Sequence, residues 1–109
     1  MSKRPGELAG SLASLADERS GSDPQALERH DLGGIVEYRR HGQPFAAASD
    51  ASAEVRLRPD IAAAALRTPD VQPSDRGPEW VSFSPGSLDR YALDRLTAWF
   101  DFAWRHAVD

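Results

Sequence analysis

The chain has 109 residues, a net charge of −4 and no cysteine. This length fits one domain, residues 1–109, in which we expect residues 1–6 to be flexible. The lack of cysteine excludes disulfides, a thiol nucleophile, Cys-ligated zinc and iron–sulfur clusters. The acidic balance disfavours nucleic-acid binding outside a local basic patch, because the phosphate backbone attracts cations.

The N-terminal residues Lys3 and Arg4 are followed by no apolar stretch, and no segment approaches the roughly 20 apolar residues that span a bilayer. We therefore expect a soluble cytoplasmic protein that does not bind membranes.

A first helix is predicted over 7–19, because Leu8, Leu12 and Leu15 form one apolar stripe at helical spacing. Small and turn-forming residues follow, and 25–29 is predicted to add one further helical turn.

Three strands are predicted next, over 34–40, 45–49 and 54–58. The first is rich in β-branched and aromatic residues. The last alternates strictly, with Val55 and Leu57 on one face and charges on the other. Because the connections are short, we expect an antiparallel meander.

A second helix is predicted over 61–67, with Asp60 as its N-cap, since a carboxylate can accept the free amides of the first turn. The segment 70–79 contains two prolines and a glycine and is predicted to be a loop. A fourth strand is predicted over 80–83.

The last helix is predicted over 88–107, with Ser84 or Ser87 as its cap. Its apolar arc exceeds about 200°, against about 100° for an ordinary surface helix. Such a wide arc needs a second cover, from the first helix or from a partner chain. The predicted partner-facing side chains are Tyr91, Phe102 and Trp104.

These elements predict an α+β fold with the order α-β-β-β-α-β-α. We expect a two-layer sandwich in which about four antiparallel strands carry the helices on one face.

Local motifs for catalysis are missing from the sequence. The histidines, His30, His41 and His106, lack metal-ligand spacing, and there is neither a G-x-S-x-G elbow nor a Walker A loop. We therefore predict no catalytic, cofactor or metal site, and no enzymatic activity.

Arginines provide the predicted binding strip. Arg56 and Arg58 share the polar face of one strand, and Arg39 is expected two strands away on the open side of the sheet. The strip is either a solvated face with cross-strand ion pairs to Glu37 and Glu54, or a docking site for an acidic peptide or a nucleic-acid backbone.

Four pieces of the chain resemble MmcQ/YjbR-like domains: Val55-Arg56-Leu57, Thr68-Pro69-Asp70, Arg76-Gly77-Pro78-Glu79-Trp80-Val81 and Leu96-Thr97-Ala98-Trp99-Phe100. The chain is also similar to bacterial domains labelled "luciferase family", through Gly33-Gly34-Ile35-Val36-Glu37-Tyr38 and Trp80-Val81-Ser82-Phe83. The resemblance covers 32–107. It implies a bacterial α+β domain, for which DNA binding has been suggested in the MmcQ/YjbR-like group, and it carries over no catalytic residue.

Three functions follow as hypotheses. The first is a non-enzymatic interaction module of a bacterial cytosol, homodimeric through the last helix. The second is a nucleic-acid-associated domain that uses the arginine strip. The third is a small-ligand-binding or catalytic domain with a pocket beside the 70–79 loop.

Overall fold

The computed structural model describes residues 7–22, 27–49, 52–86 and 89–107. In this part the elements in chain order are α1 (Glu7–Ser22), β1 (Leu27–Asp31), β2 (Val36–Arg40), β3 (Gln43–Ala48), β4 (Ala53–Arg56), α2 (Pro59–Ala65), β5 (Val71–Pro73), β6 (Trp80–Phe83) and α3 (Arg90–His106). The chain is therefore α+β. Residues 1–6, expected to be flexible, lie outside the described residues.

The sheet is antiparallel and has six strands in the described part, in the order β1-β2-β3-β4-β6-β5, so the prediction of about four strands was wrong. β1 replaces most of the helical turn predicted over 25–29, and β5 lies inside the predicted 70–79 loop. Both are edge strands with few apolar residues, and they form by pairing with β2 and β6. Their own composition gives little strand signal.

The predicted strands β2, β3, β4 and β6 are confirmed, with shifts of one or two residues at most ends. The β2–β3 hairpin turns at His41 and Gly42, both of which have positive φ. A register shift between Tyr38 and Arg39 leaves Phe45 as an extra residue of β3. This bulge directs the ring of Phe45 towards the core, beside its buried neighbour Ala46.

One hydrophobic core lies between the sheet and the helices, and cross-strand neighbours such as Tyr38, Ala46 and Val55 line its floor. The aromatic side chains of α3 pack edge-on against the sheet. Ring centroids are 5.3 Å apart for Phe45 and Phe100, and 5.1 Å apart for Phe83 and Trp99. The last helix therefore lies across the sheet, as its apolar arc predicted.

The second cover of α3 comes from α1 within the same chain. Leu8, Leu12 and Ala16 of α1 are buried in the core, and α1 contacts both α3 and the sheet. The short α2 adds Ala62 and Ala65 from the β6 side. Most of the wide apolar arc is thus buried without a partner chain.

Two predicted caps were wrong. α3 is capped by Asp89, whose carboxylate accepts a 2.9 Å hydrogen bond from Ala92 N, and Ser84 lies well before the helix. Ser87 lies outside the described residues. α2 begins with Pro59 after Arg58, so Asp60 lies inside the first turn, where its negative charge still favours the helix dipole.

None of the helices in the described part is both long enough and apolar enough to cross a membrane.

Candidate functional sites

The face of the sheet opposite the helices, which we call the outer face, carries a bridged pair of carboxylates. Strand pairing places Glu37, Ala47 and Glu54 side by side on β2, β3 and β4. Arg76 donates from Nη1 to Glu37 Oε2 and from Nε to Glu54 Oε1, both at 2.9 Å. One guanidinium therefore bridges two carboxylates across the position of the small Ala47 side chain.

Glu37 is the most deeply buried of these charges, with 6% of its surface exposed. It also accepts a 2.6 Å hydrogen bond from Arg39 Nε. Burial alone would raise the pKa of Glu37, but the hydrogen bonds and charges of Arg39 and Arg76 outweigh burial and lower this pKa. Glu37 is therefore held as an anion rather than as a proton donor.

The same contacts act on Arg76. Burial would lower the pKa of its guanidinium, but the bonds to Glu54 and Glu37 outweigh burial and raise this pKa. The cluster is therefore a set of paired charges, which is an arrangement suited to holding structure rather than transferring protons.

A turn between β5 and β6 presents Arg76 to the outer face. Ser74 N donates to Trp80 O, and Trp80 N donates to Gly77 O, each at 3.1 Å. A Cβ on Gly77 would lie 3.3 Å from Cδ1 of Trp80, so this turn packs most easily with glycine. The Arg76 Cζ lies 5.2 Å from the centroid of the Trp80 ring, within cation–π range.

Ser74 fixes the other end of this turn. Its hydroxyl is hydrogen-bonded to Glu54 Oε2 and accepts from Arg76 N at 3.2 Å. The predicted 70–79 loop is thus not a free surface loop, because its central residues lie on the sheet.

A second charged contact joins this turn to the end of α3. Glu79 Oε1 accepts from Arg56 Nε at 3.0 Å, and His106 Nε2 lies 3.3 Å from the same oxygen. The hydrogen bond with His106 lowers the pKa of Glu79, burial opposes it, and Arg56 lowers it further.

On the core side, Arg40 contacts the last turn of α3. Its Nη1 donates to the carbonyl oxygen of Trp104 at 2.7 Å, and its Cζ lies 3.9 Å above the Trp104 ring. A cation at a helix C-terminus also interacts favourably with the helix dipole.

The predicted arginine strip is divided among different partners. Arg39 binds Glu37, Arg56 binds Glu79, and Arg58 lies beyond β4, where its Nε is 3.5 Å from Asp60. The structure therefore does not bring the three together as an unpaired basic strip. The predicted pairing was cross-strand, but Arg39 pairs with Glu37 of its own strand, β2, and Glu54 pairs with Arg76 instead of an arginine of the strip.

The predicted partner-facing side chains of α3 also separate. Tyr91 and Phe102 are eleven residues apart, which brings them to the same side of a helix within about 20°. They are 72% and 42% exposed. Trp104 was wrongly assigned to this side, because it lies on the opposite flank and is buried against Phe45 and Arg40.

The role of Arg76 was not predicted from the sequence. Nothing local marks it, since its partners Glu37 and Glu54 are 39 and 22 residues away. Its segment was noted only for the resemblance to MmcQ/YjbR-like domains, and the arginine, glycine and tryptophan of 76–81 share one structural role in the turn.

An open groove of about 360 Å³ lies between α1 and α3. Its lining residues are Ser11, Ser14, Leu15, Glu18, Leu93 and Thr97. Separately, no group of three or more histidine, aspartate and glutamate side chains in the described ranges is placed to hold a metal ion.

Comparison with protein-family models, curated proteins and solved structures finds no match to this chain.

Proposed function

We propose that the protein is a non-enzymatic interaction module of the bacterial cytosol that self-associates through one stripe of α3. The stripe consists of Tyr91, Arg95, Ala98 and Phe102, which follow one another at intervals of four, three and four residues. The observation that carries the proposal is the exposure of two aromatic rings on this stripe, at 72% and 42%, while the tryptophans of the same helix are buried.

The composition of the stripe fits a protein–protein contact. Tyrosine, phenylalanine and arginine are enriched at such interfaces relative to the rest of the surface. The stripe is about 17 Å long at 1.5 Å per residue. Ala98 lies between the two rings, and a small residue there allows another helix to approach closely.

The charges around the stripe favour a second copy as the occupant. Asp94 and Asp101 are balanced by Arg95 and Arg105, although the whole chain carries −4. Two copies can therefore meet through this surface without adding net charge repulsion at the contact. A stable interface buries roughly 1,000 Å² of surface, and one helical stripe supplies a smaller area. We therefore expect a reversible dimer.

Sedimentation velocity over a range of concentrations tests this proposal. We expect the wild-type chain to approach twice the monomer mass, with a Kd on the order of 10 µM. Phe102→Glu should remain monomeric, because it places a charge in the apolar contact. Leu66→Glu is the matched control, since Leu66 of the α2 end is 41% exposed and lies outside the stripe. A wild-type chain that stays monomeric at all concentrations contradicts the proposal.

The two other functions have less support. Nucleic-acid association stays a prediction, and each of its three arginines already lies within ion-pair distance of a carboxylate. The pocket beside the 70–79 loop also stays a prediction, as does the resemblance to MmcQ/YjbR-like domains.

A further inference from the structure

The groove between α1 and α3 lies on the flank of α3 opposite the Tyr91–Phe102 stripe. Leu93 and Thr97 form its α3 wall. On α1, Ser11, Ser14 and Glu18 follow one another at helical spacing and form the other wall. The groove is independent of the surface used in the proposed self-association. Its volume of about 360 Å³ is within the range of small-ligand sites.

The groove is lined by both apolar and polar side chains. Leu15 and Leu93 supply apolar surface, and Leu93 remains 41% exposed there. The polar lining residues, which we call the rim, supply three hydroxyls and the carboxylate of Glu18. A ligand that fills the groove therefore needs a hydrocarbon part and a polar end.

The rim is biased towards accepting hydrogen bonds. Ser14 Oγ already donates to Gly10 O at 3.2 Å, and Thr97 Oγ1 donates to Leu93 O at 2.8 Å. Both hydroxyl protons are committed to their own helix, so these oxygens offer only lone pairs to a ligand. Glu18 offers a carboxylate that forms no ion pair with any other described residue, and Ser11 can take either role.

We propose that this groove binds a small alkylammonium ligand, with its hydrocarbon chain on Leu15 and Leu93 and its ammonium group at Glu18, Ser14 and Thr97. An ammonium group has three donors and no acceptor, which complements a rim of acceptors. Its positive charge also suits a chain of net charge −4. A carboxylate or phosphate ligand would meet the Glu18 charge and find few donors.

Titration with hexylammonium, followed by backbone amide NMR shifts, tests the proposal. We expect shifts in α1 around Ser11 to Glu18 and in α3 around Leu93 to Thr97, with a Kd on the order of 1 mM. Hexanol and hexanoate have the same hydrocarbon chain without the positive charge. They should bind at least about tenfold more weakly, because a charge-assisted hydrogen bond is worth about that factor.

Two variants make the test specific. Glu18→Gln should weaken hexylammonium binding about tenfold. The fold should be retained, because the side chain of Glu18 is exposed. Asp17→Asn is the matched control, since this exposed acid of α1 does not line the groove, and it should leave the affinity unchanged. The proposal is overturned if hexanol binds as well as hexylammonium, if both variants behave alike, or if no residue of the groove shifts. Dimerisation is not needed for any of these outcomes, so failure here leaves the proposed function standing.

Discussion

The two faces of the sheet are buried by different means. On the core face, apolar side chains from strands and helices pack around Phe45 and Phe100. On the outer face, a turn from far along the chain places Arg76 between Glu37 and Glu54. Area removed from water stabilises the core face. On the outer face, Arg76 compensates carboxylates whose burial without a partner would be destabilising. Hydrophobic patterning can therefore reveal only one of the two contacts that hold this sheet.

Replacing an aromatic residue of the core tests the core face of the sheet, and it should have the largest effect on the free energy of unfolding. Phe100→Ala removes a ring that packs against Phe45 and Tyr38, so we expect the free energy of unfolding to fall by about 3–5 kcal/mol. Phe102→Ala, two residues away on the same helix but 42% exposed, should change it by less than about 0.5 kcal/mol. Urea unfolding monitored by tryptophan fluorescence measures both. Similar losses in the two variants would show that α3 does not lie on the sheet as described.

Removing the guanidinium of Arg76 tests the charged outer face, and it should have the next largest effect on the free energy of unfolding. Arg76→Met retains an aliphatic side chain but leaves the buried Glu37 with one partner, so we expect a loss of about 1–3 kcal/mol. Arg58→Met is the matched control, because Arg58 is exposed and lies 3.5 Å from an exposed Asp60. It should cost less than about 0.5 kcal/mol. Equal effects in the two arginine variants would remove the distinction between a structural cluster and a solvated strip.

The elements that were predictable from the sequence are those that bury apolar side chains in a regular pattern along one short segment. The strand with Val55 and Leu57, the strand at Trp80 and the long α3 all have patterns whose period matches their structure. β1 and β5 were not predictable in this way, because an edge strand buries little and is defined by its neighbour.

The candidate sites were less predictable than the fold. Arg39 and Arg56 could be assigned to the polar side of strands, but the partner of Arg56 could not, since Glu79 is 23 residues away. Similarly, the pattern of α3 identified its apolar width, whereas the choice between Tyr91 and Trp104 as exposed rings depends on where α1 and Arg40 lie. Side-chain pairing over long sequence separation leaves no periodic signal.

The pH dependence of stability is expected to show the smallest effect. It again distinguishes the charged outer face of the sheet from the apolar core face. Glu37 has a lowered pKa in the folded state, so unfolding takes up a proton below about pH 5 and stability falls as the pH falls. The contribution of ionised Glu37 to stability is fully present above the ordinary glutamate pKa. It is lost as the pH falls below that pKa towards the lower pKa of Glu37 in the folded state. Glu79 acts with the same sign.

Unfolding of the wild type and of Glu37→Gln between about pH 6 and about pH 3 measures this contribution. The variant starts less stable but should lose less stability over this range, because the carboxylate of Glu37 is gone. Phe100→Ala, which alters only apolar contacts, should retain the wild-type pH dependence. If Glu37→Gln instead shows the full wild-type loss, the buried carboxylate is not held as an anion by its arginines.

We expect α3 to carry the free contact surface of the protein, whereas the charges of the outer face are paired within the chain. Backbone amide NMR spectra of the wild-type chain, recorded over a wide concentration range, distinguish these two surfaces. Resonances of Tyr91, Arg95, Ala98 and Phe102 should shift with concentration, whereas those of Arg39, Glu54 and Arg76 should stay constant. Shifts confined to the outer face, or spectra identical at every concentration, would overturn this assignment.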